Sequence, residues 1–190
     1  MPKKPQQPVE AAAFLNMARD YADAANELFV IADARPEKIG HLPPLSSPLY
    51  FLYSHAVELA FKAFLTARNV PMSEILHHEM RHNLPKLYDR SRTLGLVIGE
   101  RDIFEIRNVV SLLHSEIQNH GFRYFNLGVP PALVPPGRIP LPSVTIPHLS
   151  WVREVTAELL KAVEPHMPNN VAAGVAKGTF IFPKPVPKGA

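Results

Sequence analysis

The chain has 190 residues and a mass of 21.1 kDa, a size typical of one domain. Its 46% hydrophobic and 19% charged residues indicate a globular protein, and no apolar run approaches about 20 residues, so we expect no membrane span and no secretion signal. The sequence has no cysteine, which excludes disulfides and thiolate metal sites and leads us to expect a cytoplasmic location.

The net charge of +3 arises in the two terminal segments. Residues 1–8 and 169–190 contain five of the 20 Lys and Arg residues and no acid, which leaves 15 basic and 17 acidic residues between them. The near-neutral central part gives no global argument for a polyanionic partner. The 21 prolines divide the chain in the same way. We expect a flexible N-terminal tail over 1–8, a helical domain over 9–168 with a proline-rich insertion at 129–147, and an extended tail over 169–190.

Stretches without proline predict the helices. In residues 9–35, apolar side chains recur at intervals of three and four, which is typical of one buried helix face. A second helix should begin at Ser47-Pro48, a hydroxyl cap followed by a proline at the first helical position. It is apolar around most of its circumference, which indicates a central helix. Its narrow polar strip holds Glu58 and Lys62, which we interpret as an exposed i, i+4 ion pair.

Three further helices follow a short piece at residues 73–76. The first should be capped by Asn83 and closed at Gly95, the next should run from about 100 to 119, and the last from about 150 to 163. Residues 130–147 are too rich in proline for a helix, and residues 179–182 are strand-like. The predicted fold class is all-α: an up-and-down four- to five-helix bundle, a proline-rich insertion before the last helix and an extended C-terminal tail.

The segment from His78 to His82 reads H-E-x-x-H, the pattern in which two helical histidines share a zinc ion that a zinc-dependent hydrolase uses. Here Arg81 places a fixed charge between the two histidines, and Pro85 disfavours helix over residues 81–84. The other interpretation is a polar loop that enters a helix, with His82 near the cap. We assign no metal and no cofactor.

Arg107, Asn108 and His114 form the second candidate site. Arg107 and His114 are seven positions apart, so a helix places them within about 20° of the same face. Such a pair could cleave RNA without metal, because a histidine can move the 2′-hydroxyl proton while a guanidinium stabilises phosphoryl charge. The alternative is an ordinary polar helix face. A basic run opposed only by Asp89 could contact phosphate or be a solvated face; it comprises Arg81, Lys86, Arg90 and Arg92.

Several segments, taken in chain order, resemble one family. Residues 56–65 read AVELAFKAFL, residues 82–87 read HNLPKL, residues 94–96 read LGL, and Phe122-Arg123-Tyr124 follows the fourth helix. These resemble the ELxLKAxL helix, the H-[DN]-L-x-x-L helix with its Gly-Leu ending, and the RY(P) close of HEPN domains (higher eukaryotes and prokaryotes nucleotide-binding). The resemblance covers about residues 10–165 and gives His82 the position of the histidine in H-[DN]-L.

The resemblance implies a helical bundle that forms a homodimer through its fourth helix. Many HEPN proteins are metal-independent endoribonucleases with an R-x(4–6)-H motif, which Arg107, Asn108 and His114 match. By this analogy Arg107 stabilises the phosphorane and His114 is the base or acid, as in toxin or defence proteins whose partner is a nucleotidyltransferase-type antitoxin. The branch with an Arg-Tyr close often lacks catalysis, and Phe122 stands where that branch has proline. The alternative function is therefore a non-catalytic HEPN module that binds a nucleotide, RNA or a protein partner.

Overall fold

The computed structural model describes residues 7–34, 45–99, 103–118 and 148–167, and these form an all-α helical bundle with no strand in the described ranges. The expected proline-rich insertion, C-terminal tail, strand-like segment and Phe122-Arg123-Tyr124 lie outside these residues. None of the described helices has the length and hydropathy that a membrane span requires. The helices are α1 (Gln7–Asp33), α2 (Ser46–Ala67), α3 (Met72–Ile75), α4 (Leu84–Thr93), α5 (Ile103–Gln118), α6 (Leu149–Val163) and a short 3₁₀ helix (Glu164–His166).

The central element is α2, which contacts α1, α3, α4, α5 and α6. Its sequence is apolar around most of the helix, and most of its residues from Leu49 onward are buried. The longest contact is with α1, whose buried stripe is mostly alanine, and small side chains let two helices approach closely over several turns. The prediction of a central second helix is therefore confirmed.

Two polar contacts show that α1 and α2 run antiparallel. The Tyr53 hydroxyl donates to Asn26 Oδ1 at 3.0 Å, and the rings of Tyr21 and His55 lie 5.3 Å apart, so higher numbers on α1 meet lower numbers on α2. Desolvation raises the pKa of Tyr53 to about 12, although nearby Arg153 opposes this shift. The phenol therefore remains a hydrogen-bond donor at neutral pH.

Contacts at both ends of α6 fix it against α1. Arg19 pairs with Glu164 at 2.6 Å, and the guanidinium of Arg153 lies 5.1 Å from the ring centroid of Phe29. Low numbers on α1 thus meet high numbers on α6, so these two helices are also antiparallel. Between them they cover two sides of α2.

The ends of α4 follow the sequence prediction, whereas the starts of α1 and α2 do not. The Asn83 side chain accepts a hydrogen bond from the Lys86 backbone N–H at 3.1 Å, and Gly95 has a φ of +90° just past the helix. Helix α1 begins at Gln7, inside the segment expected to be a tail. The cap of α2 is Leu45, in the left-handed region, and no side chain caps the helix, so the prediction of a Ser47 cap was wrong.

Candidate functional site

The three residues proposed from sequence lie on α5, outside its buried stripe. Arg107 and Asn108 are exposed and His114 is half-buried, whereas the stripe faces the core; its described members are Ile106, Val109, Val110 and Leu113. At 1.5 Å per residue, Arg107 and His114 are separated by about 10 Å along the helix. Within one chain the two side chains share a helix side but are not in contact.

Arg107 is held by an exposed ion pair. Its Nη2 lies 3.1 Å from Asp89 Oδ2 on α4, and both side chains are about half exposed, at 53% and 47%. Exposed pairs of this kind contribute only about 0–1 kcal/mol, so an incoming phosphate could compete for the guanidinium. The pair also joins α5 to α4.

His114 lies in the seam between α5 and the turn that precedes α4. Burial lowers its pKa, and a hydrogen bond to the backbone carbonyl of His82 opposes that shift. Its Nδ1 atom is buried and has no hydrogen-bond partner among the described residues. Burial therefore favours the neutral imidazole, which has an unused ring nitrogen, but that nitrogen is covered in the single chain.

Beneath this seam lies a buried ion pair within α2. Lys62 Nζ donates to Glu58 Oε1 at 2.6 Å, and the two side chains are only 7% and 6% exposed. The sequence interpretation of an exposed surface pair was therefore wrong. Five other helices contact α2, and they bury its polar strip at Glu58 and Lys62, which an isolated helix would show to water. The charges are buried together, and each compensates the other.

His82 completes the cluster, and sequence reasoning did not connect it with Glu58. Its Nδ1 lies 3.1 and 3.3 Å from the two carboxylate oxygens of Glu58, while its side chain remains 55% exposed. The helix cap at Asn83 fixes the chain one residue later. A usable signal existed: a glutamate in a helix that is apolar nearly all round must be buried, and a buried carboxylate requires donors. The cluster of Glu58, Lys62, His82 and His114 is called the α2–α5 cluster below.

The H-E-x-x-H segment does not form a helix face. Residues 78–82 lie in turns, Glu79 is exposed and pairs with Lys86 at 3.4 Å, and His82 contacts Glu58 instead of its companion histidine. The hydrogen bond from Lys86 is the main cause of a lowered pKa at Glu79. No group of three metal-ligating side chains occurs among the described residues. The loop interpretation is confirmed, and the helical geometry that the zinc hydrolase needs does not form.

Two of the four members of the basic run, Lys86 and Arg90, form ion pairs. Besides the pair between Lys86 and Glu79, Arg90 Nε lies 3.0 Å from Glu74 Oε1, and Arg92 lies over the Tyr88 ring at 5.7 Å. The expectation that only Asp89 opposes this run was wrong, because Glu74 of α3 and Glu79 of the following turns reach it. A cavity of about 490 Å³ lies beside the paired glutamates; its lining contains Pro71, Ser73, Glu74, His77, Glu79, Met80 and Lys86. It includes no member of the α2–α5 cluster.

Comparisons with protein-family models, with curated proteins and with solved structures find no match to this chain.

Proposed function

We propose that this protein is a HEPN-type protein that acts on RNA as a metal-independent endoribonuclease. The observation that carries the proposal is the arrangement on α5: the accessible guanidinium of Arg107, with the exposed amide of Asn108 next to it in sequence, shares one side of the helix with the imidazole of His114, whose pKa is lowered by burial. A neutral imidazole can accept the 2′-hydroxyl proton, and a guanidinium can stabilise charge that develops on the phosphoryl oxygens. The order of helix motifs supports the same assignment by resemblance.

The distance between Arg107 and His114 along α5 suggests that two copies of the chain contribute to one site. Arg107 and His114 of one chain are about 10 Å apart along the helix, and the guanidinium of Arg107 is paired with Asp89 on α4. We therefore propose a homodimer in which Arg107 of one copy and His114 of the other face the same phosphate. Binding must also turn the His114 ring enough to uncover its Nδ1 atom.

The test is cleavage of a labelled single-stranded RNA by the purified full chain in EDTA. The wild type should release products with 2′,3′-cyclic phosphate ends, and His114→Ala and Arg107→Ala should each lower the rate by about 100-fold or more. Ser111→Ala is the matched control, because Ser111 is exposed on the same side of α5 and has no proposed role. Full activity of His114→Ala would contradict the proposed site, and an inactive wild type would contradict the nuclease function.

One observation favours a second candidate, a non-catalytic module that binds a nucleotide, RNA or a partner protein such as a nucleotidyltransferase-type antitoxin. The Nδ1 atom of His114 is buried without a partner among the described residues, and the ring hydrogen-bonds to the backbone carbonyl of His82. Both features are typical of a structural histidine. In this case the wild type should bind a fluorescent single-stranded RNA in an anisotropy assay without cleaving it. Arg107→Ala should weaken that binding, and His114→Ala should leave it unchanged.

A further inference from the structure

We propose that His82 is a second acid–base residue of the RNA-cleaving site, with Glu58 as its positioning residue; this inference rests on the proposed function. RNA cleavage at a 2′-hydroxyl needs two proton transfers, one away from the 2′ oxygen and one to the departing 5′ oxygen. His114 accounts for the first. The contacts and the exposure of His82 suit it to the second transfer, to the departing 5′ oxygen.

The surroundings of Glu58 hold its carboxylate in one position. It projects from the central helix, it is 6% exposed, and Lys62 Nζ holds one carboxylate oxygen at 2.6 Å. A carboxylate in such packing cannot follow a moving partner, so the partner must adopt the orientation that the carboxylate dictates. Glu58 thus provides a rigid acceptor at the surface of the bundle core.

The two nitrogens of His82 have different roles. Both carboxylate oxygens lie within 3.3 Å of Nδ1, and an ionised carboxylate can only accept, so Nδ1 carries a proton. Proton exchange with a substrate is then left to Nε2. The side chain is 55% exposed, so its outer edge is open to a ligand. This is the arrangement by which a carboxylate orients a catalytic imidazole in hydrolases and nucleases of unrelated folds.

His82 also lies close to the proposed site. The ring of His114 hydrogen-bonds to the backbone carbonyl of His82, so the two histidines are neighbours across the seam between α5 and the turn. One imidazole is neutral and half-buried, and the other is accessible and supported by a carboxylate. The same seam therefore offers two imidazoles for the two proton transfers.

The reaction balances with these two residues. The step starts with His82 protonated on both ring nitrogens. The 2′ oxygen bonds to phosphorus as its proton passes to His114, and the P–O5′ bond breaks as His82 gives its Nε2 proton to O5′ and keeps the Nδ1 proton that faces Glu58. The products are a 2′,3′-cyclic phosphate and a free 5′-hydroxyl group. Water then removes the proton from His114 and supplies one to His82, and no atom changes oxidation state.

The experiment compares two substrates that differ only in their need for an acid. One is a dinucleotide with an ordinary 5′-hydroxyl leaving group, and the other is a uridine 3′-phosphate ester of p-nitrophenol, whose leaving group departs without a proton. We expect His82→Asn, which keeps a donor to Glu58, to lose about 100-fold on the dinucleotide and less than about tenfold on the p-nitrophenyl ester. The control is His78→Asn, because His78 is exposed in the same turns and should lose nothing on either substrate.

Each outcome decides a separate point. Equal loss on both substrates would mean that His82 is structural, and no loss on the dinucleotide would mean that it is not used; either result overturns the inference and leaves the nuclease function standing. A wild type that is inactive on both substrates and on the labelled single-stranded RNA would end the proposed function and the inference with it, whereas one that cleaves only the longer RNA without any loss in His82→Asn would overturn the inference alone. Glu58→Leu combined with Lys62→Met removes the carboxylate without leaving a buried charge, and it should show the same selective loss as His82→Asn if Glu58 orients His82.

Discussion

Replacing Glu58 with glutamine should destabilise the fold far more than its position in a polar strip suggests. The substitution leaves the ammonium of Lys62 buried at 7% exposure without a counter-charge. Breaking a buried ion pair by removing one partner costs about 3–5 kcal/mol, and we expect the lower end, because the amide oxygen of glutamine can still accept from Lys62. An exposed i, i+4 pair would contribute only about 0.3–0.5 kcal/mol. The buried and the exposed interpretation of the pair therefore predict clearly different losses of stability, and one measurement distinguishes them.

The assay is urea denaturation followed by helical circular dichroism. With a slope of about 1–3 kcal/mol per molar urea, a loss of about 3 kcal/mol lowers the midpoint by about 1–3 M. The Glu58→Leu, Lys62→Met variant should unfold within about 1 kcal/mol of the wild type or at higher urea, since well-packed apolar residues often replace a buried pair without loss. His82→Asn should change stability by less than about 1 kcal/mol, because its side chain is more than half exposed. A Glu58→Gln variant within about 0.5 kcal/mol of the wild type would refute the burial of this pair.

Three further predictions concern local features. Burial lowers the pKa of His114 below that of an unfolded histidine, so the free energy of unfolding should fall as the pH drops below about 6.5 and level off below the folded pKa. His114→Gln should reduce this loss in urea titrations at different pH values. His166, whose pKa is also lowered by burial, should supply the loss that remains in this range. Asn83→Ala should cost about 1 kcal/mol by thermal or urea unfolding, whereas Thr93→Ala at the exposed end of α4 should cost less than about 0.5 kcal/mol. Gly95→Ala should cost about 1 kcal/mol from backbone strain alone, because its φ is +90° and no neighbouring atom lies within 4 Å of the added carbon; a neutral result would contradict this.

The helices could be predicted from sequence because their signals are local. Proline spacing, the apolar periodicity of α1 and the cap of α4 depend only on residues near each other in the chain, and the structure confirms them. The start of α2 was misplaced, because a left-handed Leu45 can cap a helix whose first residues are set by packing and not by a hydroxyl group. Boundaries of this kind depend on tertiary packing, which a local sequence pattern does not contain.

The candidate site was predicted only in part, and the reason is again the range of the interactions. The shared side of Arg107 and His114 follows from helix periodicity within α5. The burial of Glu58 does not, because it depends on which helices cover α2 from outside, and the contact with His82 joins residues 24 positions apart. The H-E-x-x-H pattern shows the reverse case. Its residues match the motif locally, but they lie in turns, so no helix places the two histidines on one face.

The contacts of α6 with α1 have a consequence for folding during synthesis. Helices α1 and α2 emerge from the ribosome early, but one flank of each is covered only when α6 arrives, more than 80 residues after the end of α2. Until then the nascent chain exposes apolar surface along its central helix, and closure of the bundle awaits a contact of long sequence separation. A nascent chain that stalls before residue 148 would therefore be a substrate for chaperones, although it already contains the whole α2–α5 cluster.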